Sequence, residues 1–449
     1  MTQPRDGASP ASYLVAALGL AACAALWATG PAKPHGAWAP AFLRGYAIAW
    51  ACYVLAAVIV SRSRSFPRWA LLSVVVLAMA MRLVALERTH PLSTDAYRYL
   101  WDGRVANAGI NPFSHAPDSR ELQPLRDENW RKISFKGIPT IYPPLAQLLF
   151  AGLARVKTSE IDAFRWTFAL FDIGTVFVLM ALLRRTGRPP EQAIWYAWCP
   201  LAVTEVTAGA HVDALGLFLL MLALLLISRE TRAGAVGSGV ALAGAVMTKG
   251  YAVLALPFFI RRGGWRLALA FVLACLALAA PFAHAGADLV AGLRAYVGSW
   301  KANAGVFLLL DHVLARVTNH HFGVARAVTS GAVVLLVAVL AGRLRPSVES
   351  LLRATLLAFG AQLLLGAPTL PWYAIWIVPA LCWWGVPGLA LFTLTVSAQY
   401  YTRWLHPGDT AAHHALLWAG YLPVYALLIG QLIWWRMVAR SRKAASAAA

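Results

Sequence analysis

Charge is scarce in this chain. Asp, Glu, Lys and Arg make up 13% of its 449 residues, about half the share of a soluble domain, which excludes an ordinary water-soluble fold. Acids are scarcer than bases, 19 against 39. The resulting excess of positive charge does not indicate nucleic acid. Lys and Arg stand mainly in short connections between apolar runs, where the positive-inside rule puts them. Cysteine is scarce too: Cys23, Cys52, Cys199, Cys275 and Cys382 all fall inside apolar runs, and none forms a CxxC pair. That argues against a disulfide framework or a thiolate metal centre. No internal repeat and no separate soluble domain is evident, so residues 1–449 read as one integral-membrane domain.

What the chain has in abundance is apolar runs. A bilayer-spanning helix needs about 20 apolar residues, and shorter runs must tilt, re-enter or lie at the interface. Ala11 to Ala28, Phe42 to Ser61 and Trp69 to Leu86 make three crossings, the first read as a membrane helix rather than a cleaved signal. A polar segment, 87–141, then lies outside as the first extracytoplasmic loop. Tyr142 to Val156 is short and begins TyrProPro, so it reads as a re-entrant or interfacial helix. Charge supports this, because Phe164 to Leu183 ends in ArgArgThrGlyArgProPro, which belongs on the cytoplasmic side. Further runs follow: Ile194 to Gly209, Ala214 to Ile227, Gly234 to Thr248, Tyr251 to Ile260 and Leu267 to Phe282. A second extracytoplasmic loop covers 284–303. After Val324 to Ala341 come Leu351 to Gly366, Tyr373 to Trp384, Leu389 to Tyr400 and Leu416 to Met437. The expected fold is an all-α polytopic transmembrane bundle of about 12–14 crossings, with both termini cytoplasmic.

This threading sorts the polar residues. Asp95, Asp102, His211, Asp213, Lys249, Trp300, Asn303 and Pro368 to Tyr373 all come out on one extracytoplasmic side. The stretch Ser93 to Pro112 is the first charged block to interrupt the apolar runs. If it is helical, Asp95 and Asp102 share a face with Arg98 and Tyr99. The alternative is a solvated helix whose charges neutralise one another. His211 and Asp213 close a crossing, with Glu205 buried earlier in the same run; they read as a site or as a helix-end cap. No further ligands stand at metal spacing, so no metal site is assigned. Lys249 sits at a membrane turn, where it either snorkels or meets an anion such as a lipid phosphate. Trp300, Trp372 and Tyr373 belong to an aromatic belt or stack on a sugar.

Taken in order, several motifs resemble one superfamily: ThrAspAlaTyrArgTyr, GlyIleAsnProPhe, TyrProProLeu, CysProLeuAlaValThrGlu, GlyAlaHisValAspAla, MetThrLysGlyTyr, TrpLysAlaAsn and ProThrLeuProTrpTyr. The chain resembles the GT-C superfamily of polyprenyl-phosphate-sugar-dependent glycosyltransferases, above all its bacterial mannosyltransferase branches. More distantly it is similar to the catalytic mannosyltransferase of GPI-anchor synthesis. The resemblance implies an active site facing the periplasm or exterior of a bacterial cytoplasmic membrane. It also implies a lipid-phosphate sugar donor, with mannose favoured, and a first-loop acid as catalytic base, by position Asp95. Where related families pair two acids, Thr94 precedes Asp95 and the next acid is Asp102, which leaves dependence on a divalent metal open; no cofactor is otherwise implied.

The chemistry needs few groups. A phosphate leaving group needs no protonation, so one carboxylate to accept the acceptor's proton and cations to hold developing charge suffice. Lys249 leads as donor-phosphate ligand, with Arg98 and Arg104 beside it. Asp102, His211, Asp213, Trp300, Asn303, Trp372 and Tyr373 are expected to line the sugar and acceptor groove. The acceptor is a lipid, a glycan or a protein. The rival class is a transporter or flippase for a lipid-linked glycan, but transporters commonly carry repeats and midplane polar groups, whereas these polar groups gather at one face.

Overall fold

The computed structural model describes residues 10–30, 39–63, 66–88, 92–156, 161–345, 347–400 and 408–448. These residues are mostly helical, with no strand among them and a single parallel bridge between Ala302 and Pro368. Eight helices are long and apolar enough, by length and composition, to cross a membrane. The first three, Pro10–Trp27, Ala39–Arg62 and Arg68–Arg88, match the expected N-terminal crossings. Asp162–Arg185 follows with an acid in its first turn and Arg184 and Arg185 in its last, the arrangement that complements the helix dipole.

His321–Gly342, Val348–Leu365 and the C-terminal helix from Thr410 also qualify, whereas several other apolar runs are shorter or broken, which is why fewer than the expected number qualify by length. Asp213–Ile227 has 15 residues and Arg232–Thr248 has 17. The run ending at Gly209 is a succession of short pieces: Ile194–Ala197, Pro200–Val203 and the π turn Thr204–Ala208. Pro200, which lacks an N–H, restarts the helix there. The apolar unit beginning at Gly250 is broken at Gly264, whose φ of +67° suits glycine. It is therefore two arms rather than one long rod. Pro371–Ala380 is a 3-10 helix of ten residues. At about 2 Å of rise per residue it spans roughly 20 Å, against about 15 Å for ten α-helical residues.

The polar segment 92–141 is folded. Helix Asp95–Asn107 packs on Pro144–Leu153, the expected interfacial helix, and Gly103 makes this possible, because a Cβ there would run into the Phe150 carbonyl. Trp101, Val105, Leu122 and Ile133 form a small core of their own. The segment is tied to Ala280–Val290 where the Asn111 side-chain amide donates to the Phe282 carbonyl at 3.3 Å. Gly292 lies directly against the Pro139 and Thr140 carbonyls, leaving no room for a side chain.

Candidate active site

Asp95 opens its helix, with its N–H bonded to Ser93 Oγ at 3.1 Å. An acid in a first helical turn is favoured by the dipole, and this one keeps 27% of its side chain exposed. The Tyr142 hydroxyl donates to Asp95 Oδ2 at 3.3 Å. Burial, and then the Asp95 carboxylate, push that hydroxyl well above the ordinary tyrosine range, so Tyr142 serves as a donor.

His211 lies fully buried between two acids. Its Nδ1 is 3.8 Å from Asp95 Oδ2 and its Nε2 is 3.5 Å from Glu205 Oε2. The Tyr400 hydroxyl reaches both Glu205 oxygens, at 3.0 and 3.1 Å. The backbone that delivers this histidine is irregular: the π turn ends at Ala208, and Ala210 adopts a left-handed φ of +53°. That conformation costs a non-glycine residue about 1 kcal/mol or more. Gly209 beside it has an ordinary φ of −73°, but a Cβ on it would strike the His211 ring and the Glu205 carbonyl. The imidazole face is covered by Trp372, stacked at 4.0 Å between ring centroids and 14° apart in plane. The indole Nε1 of Trp372 is buried with no hydrogen-bond partner among the described residues.

Lys249 adjoins this group. Its Nζ donates to Asp213 Oδ2 at 2.8 Å, and Asp213 Oδ1 accepts from Trp376 Nε1 at 2.8 Å. The ammonium also lies 4.9 Å from the Tyr373 ring and 5.8 Å from the Tyr142 ring, within cation–π range. Tyr142 thus links the Lys249 ammonium to the Asp95 carboxylate. Tyr373 shares a 2.7 Å hydrogen bond with Tyr296 of the second outer loop.

Other residues expected at a site have different surroundings. Asp102 is buried and accepts from Arg98 Nε at 2.7 Å and from Gln147 Nε2 at 3.2 Å. It faces the seam with Pro144–Leu153 rather than a surface shared with Asp95. Arg98 also donates to the Ile138 carbonyl at 3.0 Å, closing the loop over that seam. Arg104 pairs with Asp127 at the surface. Burial raises the Asp127 carboxyl, but the Trp130 N–H and the Arg104 guanidinium outweigh it and hold the group below its ordinary value. Asn303 has a left-handed φ of +47°. Its amide donates to the Thr369 carbonyl at 3.1 Å, and its own carbonyl accepts from Tyr421 at 2.8 Å, fastening the second loop beside Pro368–Tyr373. Trp300 lies 4.3 Å from the Phe135 ring, joining segments 92–141 and 284–303.

The structure therefore brings Asp95, His211, Asp213, Lys249, Trp372 and Tyr373 into one cluster. Arg98, Asp102, Arg104, Trp300 and Asn303 stand at the loops around it. It adds four residues that sequence reasoning left out of the expected site: Tyr142, Glu205, Trp376 and Tyr400. Glu205 carried the only clear signal, being an acid inside an apolar run.

A family model described as Alpha-(1->6)-mannopyranosyltransferase, N-terminal domain, of the MptA_B family, matches residues 9–262. The matched part includes Asp95, Tyr142, Glu205, His211, Asp213 and Lys249; the aromatic residues that complete the cluster come from the remainder. No curated protein matches the chain.

Proposed function

The chain belongs to this family of alpha-(1->6)-mannopyranosyltransferases, and from that premise we propose that it transfers mannose from a polyprenyl-phosphate donor to the 6-hydroxyl of an extracytoplasmic sugar acceptor, by inverting displacement of GT-C type. The observation that carries the proposal is the half-open Asp95 carboxylate, joined through Tyr142 to the Lys249 ammonium.

The acceptor oxygen attacks the anomeric carbon as the bond from that carbon to the phosphate oxygen breaks. Asp95 takes the acceptor proton, and polyprenyl phosphate leaves with the bonding electrons. The donor Tyr142 orients the carboxylate, and buried His211 backs it from the side of Glu205. Lys249 offers its ammonium to the phosphate; a fixed cation in a water-poor setting counts most as charge develops there. The indole N–H of Trp372 is available to a sugar oxygen. A primary 6-hydroxyl is the least hindered nucleophile on a hexose, which suits a base held at the end of a helix.

Asp95→Asn is expected to reduce turnover by about 10²- to 10⁴-fold, the usual contribution of a general base, while leaving the fold and donor binding nearly unchanged. The assay is mannose transfer by purified protein from a polyprenyl-phosphate mannose donor, and near-normal activity in the variant removes Asp95 from the role.

A further inference from the structure

At the opposite end from Asp95, a groove of about 590 Å³ opens between Ala39–Arg62 and Pro387–Thr395. That volume is in the range of small-molecule sites. One wall is a stripe on Ala39–Arg62: Trp50, Val54 and Val58 at a spacing of four, then Ser61 and Arg62. From Trp50 to Arg62 the groove runs roughly 18 Å along the helix, close to the hydrocarbon depth of one leaflet, about 15 Å. The opposite wall offers Pro387 and Leu391, with Trp383 and Trp384 at its lower edge.

The groove is polar at one end only. Arg62, Arg188 and Gln192 stand at the basic end, the side to which the arginine-rich connections assign the cytoplasm. Arg188 is half-exposed and paired with Glu349 at 3.1 Å. Arg62 has no carboxylate partner among the described residues, and the Gln192 side-chain oxygen is buried without a donor. At the far end the Trp50 indole is tied to Ala390 and Thr393 at 3.1 and 3.0 Å, so the groove's polar atoms there are already satisfied. The apolar channel thus has the depth of a leaflet and an unpaired guanidinium at its head-group level.

We propose that this groove binds one anionic glycerophospholipid of the basic-side leaflet, its phosphate on Arg62 and an acyl chain along Val58, Val54 and Trp50. A guanidinium suits a phosphodiester because its planar donors meet two oxygens at once. Basic pockets between membrane helices on this side are a recurring lipid-recognition device. The site is remote from the Asp95 cluster and independent of the proposed reaction.

The test is native mass spectrometry of the delipidated full-length protein, titrated with phosphatidylglycerol or phosphatidylcholine of identical acyl chains. One equivalent of phosphatidylglycerol is expected, held at least about tenfold more tightly than phosphatidylcholine. Arg62→Gln should bring the two lipids to the same level, and Val58→Trp should displace both. Leu391→Trp fills the groove from the other wall and replaces Val58→Trp if that variant does not fold. Equal binding of the two lipids by the unaltered protein overturns the proposal, as does phosphatidylglycerol binding that survives both Arg62→Gln and the filled groove. Displacement of the lipid by millimolar inorganic phosphate also overturns it, since that would make the site one for a free anion.

Discussion

Arg82 with Asp172, and Lys249 with Asp213, are two ion pairs withdrawn from water in one helix bundle, and their surroundings differ in kind. Arg82 directs Nε and Nη2 at Asp172 Oδ2, each at 2.7 Å, and gives Nη1 to the carbonyls of Ala78 and Ala197 at 3.0 and 2.5 Å. Asp172 takes its other bond from the Tyr196 hydroxyl at 2.5 Å. Every partner is protein, and the pair is almost fully enclosed between Arg68–Arg88 and Asp162–Arg185. Lys249 has one carboxylate and two aromatic faces, and keeps 12% of its side chain exposed. An ammonium has three donors, so Lys249 can still meet a further anion. The first pair is enclosed by protein groups and fastens helices; the second keeps donors to spare beside the candidate site.

The comparison breaks most visibly at Arg82. Arg82→Met leaves Asp172 buried with only the Tyr196 hydroxyl, and stranding one member of a buried pair costs about 3–5 kcal/mol. Thermal unfolding in detergent should show that loss, whereas Arg82→Met with Asp172→Leu should recover most of it, because an apolar pair of similar volume is often as stable. If the single variant is as stable as the parent, the two pairs are not different in kind.

Lys249→Met should invert the pattern. Lys249 is less enclosed than Arg82, 12% exposed against 3%, and Asp213 keeps the Trp376 N–H at 2.8 Å, so the stability loss is expected to be smaller, on the order of 1–3 kcal/mol for a charged hydrogen bond. The loss in mannose transfer should be larger than the modest decline in folded protein, with kcat/KM for the donor reduced about 10²-fold, the scale of losing one electrostatic stabiliser of a developing anion. Donor kinetics unaltered in folded Lys249→Met would place this pair with the first one, as a fastening.

Where the sequence is explicit is at the ends of helices. Arginines after several of the apolar runs order the crossings, and Tyr142 to Val156, too short to span, folds as the ten-residue helix Pro144–Leu153. What it conceals is pairing over long separations. Arg82 and Asp172 each interrupt an apolar run, a signal that could have marked both, but nothing local says that they meet across 90 residues. Asp102 was equally opaque: helical periodicity puts it on a face near Asp95, yet Gln147, from another helix, is what turns it inward. The His211 segment reads as an ordinary helix end, because a π turn and a left-handed alanine have no distinct sequence pattern. Pro371–Ala380 is longer than its residue count suggests, because a 3-10 helix rises further per residue than an α-helix.

The mildest perturbation lies at the surface pair of Arg104 and Asp127, which supplies the baseline for both buried ones. Each side chain is more than a third exposed, so solvent screening limits the pair to less than about 1 kcal/mol. Asp127 also caps the turn Glu128–Arg131, accepting from the Trp130 N–H at 2.9 Å, so Asp127→Asn tests charge while retaining a cap. The Asp127 carboxyl is held below its ordinary value in the folded chain. Its contribution is therefore fully present above the unfolded carboxylate value of about 3.9 and is lost as pH falls through the lower folded one. The stability difference between the parent and Asp127→Asn should accordingly be constant from neutral pH to about pH 5 and shrink below about pH 4. Unfolding midpoints measured across that range give the result; a difference that grows on acidification would mean that hydrogen bonding to the neutral side chain, rather than charge, sets what this exposed pair contributes.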